Sequence, residues 1–415
     1  LGGGTVAGAR VPEFRSRARK RANGPNEKPA TAGGSGRPLA LLALGACLAT
    51  TATAATPVRL ADGLLDQSVP HTLGLSAIPA TFHTIYHAAA EEFRFNHQPN
   101  LAVYRDRLYA IWTNGSLSEN DNGQRVLWSV SDDGVHWQPW SILADDPDGS
   151  DGPFFAVATG LHTHADTLVA YVAHIRHPEP PTRDASIHAL VTTDGATWSE
   201  RRKLFPGYGI EGARALPSGR LLMPGQLYPI PEGLIQPPPR VMYSDNPDGL
   251  SGWTNVNVPP FGEFEERFPE GNWFLRADGA IGILWRAPKE VPWLYASVST
   301  DDGLSWSAPV RTNLPSATSR MATGNLPDGR AYCVWNPSQR FGRNPLVIAL
   351  SDDGLVFDRA WVLRGEAAKR RFGGVRKSDG WQYPMALVWR DALWVIHSVN
   401  KEDIALARIR LEDLQ

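Results

Sequence analysis

The chain has 415 residues, 42% hydrophobic and 20% charged, which excludes a disordered polymer and is enough to build one large all-β domain or two ordinary ones. Its net charge of −2 hides an asymmetry: residues 1–55 carry eight Lys/Arg and two Asp/Glu, leaving 33 basic against 41 acidic side chains in the rest. An acidic body without a basic stripe argues against a nucleic-acid partner. The 15 Trp, 39 Gly and 34 Pro make a strand-and-turn composition.

The first segment reads as processing sequence. Arg37 precedes the apolar run Pro38 to Gly45, and the small-residue tract Ala49 to Ala55 offers Ala52-Thr53-Ala54 as a cleavage site. Such a run is too short to remain as a membrane span. Residues 1–55 are therefore expected to be a basic leader plus a removed signal peptide, residues 56–79 a linker, and residues 80–415 the folded domain of a secreted or periplasmic protein. Leu44-Gly45-Ala46-Cys47 also resembles a bacterial lipoprotein box, so lipid anchoring through Cys47 is an alternative. Cys333 is the one other cysteine, so the mature fold has no internal disulfide.

From residue 80 onward the chain repeats itself. A tight turn recurs at Ser131-Asp132-Asp133-Gly134-Val135-His136-Trp137, Thr193-Asp194-Gly195-Ala196-Thr197-Trp198, Asp248-Gly249 to Trp253, Ser299 to Trp306, and Ser351-Asp352-Asp353-Gly354-Leu355-Val356-Phe357. In each, Asp and Ser or Thr side chains bond turn amides, Gly supplies a positive φ, and the closing aromatic tucks under the hairpin. Alternating strand patterns flank each turn, as in Leu101 to Tyr104, Leu108 to Trp112 and Val126 to Val130, so each unit reads as four strands, a propeller blade. Five such units plus the C-terminal strands from Met385 to Ile409 predict six blades, with Thr81 to Tyr86 closing the last. A seventh blade from residues 60–95 is the alternative.

These turns resemble the Asp boxes of sialidases and their relatives over roughly residues 80–413, which implies an all-β, six-bladed β-propeller of the sialidase type. The box joins strands three and four, so a ligand site belongs at the other end, where first strands start and second strands finish. First-strand starts there carry His97, Arg214, Asn272, Arg320 and Tyr383; second-strand ends carry Asn114, His174, Arg176, Gln226, Arg286, Asn336 and His397. Arg214, Arg320 and Arg286, with Asn272, are candidates to bind a substrate carboxylate. Sialidases open the first blade with an Arg-Ile-Pro motif, and here His97-Gln98-Pro99 stands in that place. His97 can exchange a proton near neutral pH, which the arginine cannot.

That departure also resembles propeller lyases acting on uronic acid glycans, such as ulvan lyases and L-rhamnose-α-1,4-D-glucuronate lyases. The resemblance implies β-elimination, with His97 as base, Tyr383 or His174 as acid, and the arginines neutralising a uronate. The sialidase alternative needs a Tyr nucleophile paired with a Glu, for which Tyr383 with Glu211 or Glu270 is available, and implies an exo-acting hydrolase. A glycan-binding propeller without catalysis is the third reading. All three imply an acidic glycan as partner, no protein partner and a monomer. The chain has no zinc spacing, P-loop or dinucleotide fingerprint, so no cofactor is expected. The acidic run Asp145 to Gly152 is a candidate Ca²⁺ loop, and Asn400-Lys401-Glu402-Asp403 reads as a solvated turn.

Overall fold

The computed structural model describes residues 58–146, 154–176, 185–209, 211–226, 239–259, 270–286, 291–340 and 342–415. The expected signal peptide, Cys47 and most of the acidic run at 145–152 lie outside them. The described residues form six antiparallel sheets of the propeller kind, joined in sequence order. The first blade is Phe95–Tyr104, Arg107–Gly115, Arg125–Ser131 and Ser141–Ala144. The second runs from Phe154–His164 to Arg202–Pro206, and the third from Tyr208–Gly209 and Arg214–Ala215 to Thr254–Asn257. The fourth spans Gly271–Leu275 to Val310–Pro315 and the fifth Ala322–Asn325 to Arg359–Arg364. The sixth takes Trp381–Trp389, Ala392–Val399 and Asp403–Arg410 from the C-terminal end, and Thr81–Tyr86 pairs antiparallel with Asp403–Arg410 as its outer strand.

No seventh blade forms among the described residues. The segment before Thr81 lies instead along the fifth blade: Arg59–Leu60 pairs parallel with Val356–Phe357, and Ala77 bridges Val362.

The apolar faces of neighbouring blades meet in six clusters, one at each interface between consecutive blades around the ring. Between the first two, Tyr109, Ile111 and Val126 pack on Ala156, Leu168 and Val172. The boxes tighten the same interfaces. In the first, Gly134 N donates to Ser131 Oγ at 2.8 Å, and the amides of Val135 and His136 donate to Asp133 Oδ1 at 2.8 Å each. Each box glycine then sits on the preceding blade. Gly134 lies on the Trp394 ring, while the hydroxyls of Tyr109 and Tyr171 donate to the carbonyls of Gly195 and Gly249 at 3.1 Å each.

Gly134→Ala and Gly279→Ala separate backbone strain from crowding. Gly279 has φ 83° and open space around a Cβ, whereas Gly134 has φ 77° and a Cβ there would come within 2.4 Å of Trp394. Gly279→Ala is expected to cost about 1–2 kcal/mol from left-handed backbone alone. Gly134→Ala adds overpacking against Trp394, for a total of roughly 2–5 kcal/mol in urea unfolding.

Candidate active site

Two β-bulges shape the site. The first strand of the first blade slips register between His97 and Asn100, with Gln98 at φ 49°, and that of the sixth slips between Gln382 and Met385, with Tyr383 itself at φ 53°. A bulge re-aims the side chains beside it, and here it brings the rings of His97 and Tyr383 to 4.0 Å between centroids. Both are buried, His97 completely.

Tyr383 is held through its oxygen. Its hydroxyl donates to Glu270 Oε1 and Oε2 at 3.1 Å each, and Arg286 Nη1 donates to the Tyr383 oxygen at 2.6 Å and to Glu270 Oε2 at 2.5 Å. Glu270 opens the fourth blade and Arg286 ends its second strand, with Glu270 O accepting from Arg286 N at 2.9 Å. Burial, with Glu270 adding to it, pushes the Tyr383 hydroxyl well above its usual range despite Arg286. The phenol is therefore protonated at neutral pH, with its proton directed at a carboxylate.

Around this couple stand more cations than carboxylates. Arg343 lies 5.2 Å over the Tyr383 ring and donates to Gln382 Oε1; Lys401 Nζ lies 5.9 Å from the same ring and donates to Glu119 Oε2 at 2.7 Å. Arg320 is 3% exposed, and its Nε and Nη2 have no partner among the described residues. The same is true of both ring nitrogens of His97. Burial first, then Lys401, Arg343, Arg320 and Arg286, hold His97 neutral, far below the usual imidazole range. Burial also pulls Lys401 down to about 8, against the upward influence of Glu119.

His97, Tyr383, Arg286 and Arg320 thus share one electrostatic site, but three expected site residues serve elsewhere. Arg214 donates to Glu211 Oε1 at 3.0 Å, Asn272 Oδ1 at 3.2 Å, Trp273 O at 2.6 Å and Thr323 O at 3.1 Å, and stacks 4.1 Å over Trp273. Asn272 accepts from Thr323 N at 2.8 Å and donates to Glu211 Oε2 at 2.7 Å. Both tie the third, fourth and fifth blades together around the Glu211 carboxylate. Glu211 is engaged with them, so Glu270 partners Tyr383. His174, expected as an acid, stacks on Phe154 at 4.5 Å and meets His188 at 5.4 Å, all within the second blade.

The turn at Asn400 to Asp403 is likewise not solvated. Lys401 is 3% exposed and Glu402 fully buried, with Glu402 accepting from the amides of Arg371 and Phe372 at 2.9 and 2.8 Å. Lys401, Arg343 and Glu119 are the site residues that sequence reasoning missed. All three lie in connections leaving second strands, a few residues beyond the strand ends inspected. Of the proposed Ca²⁺ loop, Asp146 Oδ2 accepts from Phe154 N at 2.6 Å. No metal-binding cluster exists among the described residues.

A family model described as "BNR repeat-like domain" matches residues 106–396, more than two thirds of the sequence. The chain belongs to the BNR repeat-like family. No curated protein sequence matches it. Among solved structures it is similar to a sialidase at 20% identity and TM-score 0.64, covering 86% of this chain and 35% of that one. It is also similar to the Trypanosoma rangeli sialidase in complex with sialic acid, at 15% identity and TM-score 0.59, covering 82% and 60%. A third is the intramolecular trans-sialidase from Ruminococcus gnavus in complex with oseltamivir carboxylate, at 12% identity and TM-score 0.61, covering 80% and 98%. The chain thus spans about a third of the first of these proteins. At these identities the likeness establishes the shared propeller of this BNR family member.

Arg214→Ala should lower stability by roughly 3–5 kcal/mol, because it strands the buried Glu211 carboxylate. Arg320→Met, which removes a buried charge whose Nε and Nη2 are unpartnered among the described residues, should leave stability unchanged or raised. Chemical unfolding of the two variants in parallel tests the division between structural and ligand-facing arginines.

Proposed function

We propose that this protein is an exo-acting glycoside hydrolase for an acidic sugar of the sialic acid class, with Tyr383 as nucleophile. The observation that carries the reading is the Tyr383–Glu270–Arg286 constellation, a phenol aimed at a carboxylate and fixed by a guanidinium. A nucleophile oriented by an adjacent base is the general arrangement for covalent catalysis. Tyrosine is neutral while protonated, so it can approach a carbon next to a carboxylate without the repulsion a carboxylate nucleophile would meet. The charges acting on Tyr383 and His97 also favour an anionic ligand: Arg286, Arg320, Arg343 and Lys401 against Glu270 and Glu119.

In this reading the Tyr383 oxygen attacks the anomeric carbon and its proton passes to Glu270. The departing oxygen takes a proton from solvent. Water then breaks the tyrosyl–sugar bond and releases a proton to solvent, and Tyr383 recovers its proton from Glu270. Binding of sialic acid and of oseltamivir carboxylate by the similar propellers supports the substrate class. Export, which the apolar run at residues 38–45 implies, would bring the enzyme to extracellular glycans. Elimination at a uronate is the weaker reading, because burial and the surrounding cations hold His97, its candidate base, far below the usual imidazole range, which makes it a weak proton acceptor.

The test is release of free sugar from a fluorogenic aryl α-sialoside and from sialyllactose. Glu270→Gln is expected to lower kcat at least about a hundredfold, the lower range for a proton-transfer partner, and Tyr383→Phe to lower it further. No release from either substrate, together with an ultraviolet-absorbing unsaturated product from a uronic acid polymer, would replace this reading with the lyase.

A further inference from the structure

We propose that Lys401 is a specificity-determining cation that leaves Glu119 on substrate binding and pairs with the carboxylate of the acidic sugar beside His97. The proposal rests on the substrate class proposed above and adds to it a residue and an exchange of partners.

Three observations carry it. The first is the backbone. Asn400 and Lys401 have φ of 59° and 57°, two successive left-handed residues that are not glycine. The pair makes the tight hairpin turn between Ala392–Val399 and Asp403–Arg410, closed by Glu402 N donating to Val399 O at 2.8 Å, and tertiary bonds fix where it sits. Asn400 Oδ1 accepts from Gly380 N at 2.8 Å, Lys401 O accepts from Asn96 N at 2.9 Å, and Asn96 Nδ2 donates to Glu402 O at 2.7 Å. The neighbour of Asn96 is His97, so one set of bonds fixes the lysine turn and the imidazole together.

The second is unspent hydrogen-bonding capacity. An ammonium has three donors, and the bond that the structure gives to Lys401 is the one to Glu119 Oε2 at 2.7 Å. Its side chain is 4% exposed, so little bulk water reaches the remainder. Arg320 Nε and Nη2 and the one N–H of the neutral His97 ring are further buried donors without a partner among the described residues, while the second His97 nitrogen, Gln98 Oε1 and Asn100 Oδ1 are acceptors in the same state. A carboxylate, with two oxygens that each accept more than one bond, is the ligand chemistry that satisfies clustered donors.

The third is the asymmetry of the ion pair. Glu119 is 17% exposed on its side chain against 4% for Lys401, so the carboxylate can turn to water when the lysine leaves it. Lys401 is also the charged neighbour acting most strongly on His97. It is thus the cation placed to meet an anion on the side of the site where the imidazole is neutral and supplies no charge.

The test is calorimetric titration of the unsaturated glycal of N-acetylneuraminic acid and of its methyl ester into wild-type, Lys401→Met and Glu119→Gln proteins. Wild type should prefer the acid. Lys401→Met should weaken acid binding about 10–100-fold, as expected for one charge-assisted bond, while ester binding stays the same. Glu119→Gln should bind the acid at least as tightly as wild type, since it frees the lysine. Full retention of the acid preference in Lys401→Met overturns the proposal and leaves the substrate class standing. Equal loss of acid and ester binding in both variants also overturns it, marking the pair as a strut. A wild-type protein that binds neither compound overturns the substrate class itself.

Discussion

Five of the six blade interfaces join neighbours along the chain, and the sixth forms only when the ring closes, a step that in this chain decides the candidate site as well as the fold. The outer strand of the sixth blade, Thr81–Tyr86, comes from the beginning of the folded region and pairs with Asp403–Arg410 near its end. Only then do the first and sixth blades share the cluster of Leu101, Trp112, Trp394 and Leu406. Only then does His97 reach Tyr383, and Lys401 reach Glu119. The seam carries the side chains on which the proposed chemistry turns, so an open ring would have neither a sealed core nor a site.

The boxes serve the same constraint from the opposite end. Each glycine of a box rests against the preceding blade, so the turn is a clamp between sheets as well as a cap on one hairpin. That explains why the aromatic and the glycine are retained together in a turn that could be made more simply. At the other end, connections leaving second strands also cross between blades, where Lys401 bonds Glu119 and Arg343 bonds Gln382.

This division accounts for what the sequence discloses. The repeated Asp-Gly-aromatic turn is local, so six blades and the closing strand are legible along the chain. The partners at the site are not local. Tyr383 bonds Glu270, 113 positions away, and Arg214 bonds the carbonyl of Thr323, 109 positions away. At the start of a first strand, an arginine can face the axis or bond across to the next blade, and nothing in the adjacent sequence distinguishes Arg320 from Arg214. Lys401, Arg343 and Glu119 were missed for a related reason: they sit beyond the strand ends, in connections whose charged residues read as solvated until the ring brings them together.

Left-handed backbone and unsatisfied polar groups occur on that seam and in the fifth blade beside it. Tyr383, Asn400 and Lys401 adopt left-handed backbone, and His97 and Arg320 bury polar atoms without partners among the described residues. Each such feature costs about 1–3 kcal/mol, and a ring held by six interfaces and five boxes can sustain several. Buried donors and acceptors alike stand unpaired, Arg320 Nε and Nη2 as well as Gln98 Oε1 and Asn100 Oδ1. The cations acting on His97 and Tyr383 outnumber the carboxylates, a surplus that a ligand bringing negative charge would relieve. Preorganisation of this kind transfers part of the expense of recognition from binding to folding. The last blade must therefore be locked before the site can form, which makes ring closure the step that creates both the scaffold and the arrangement on which the proposed preference for acidic sugars rests.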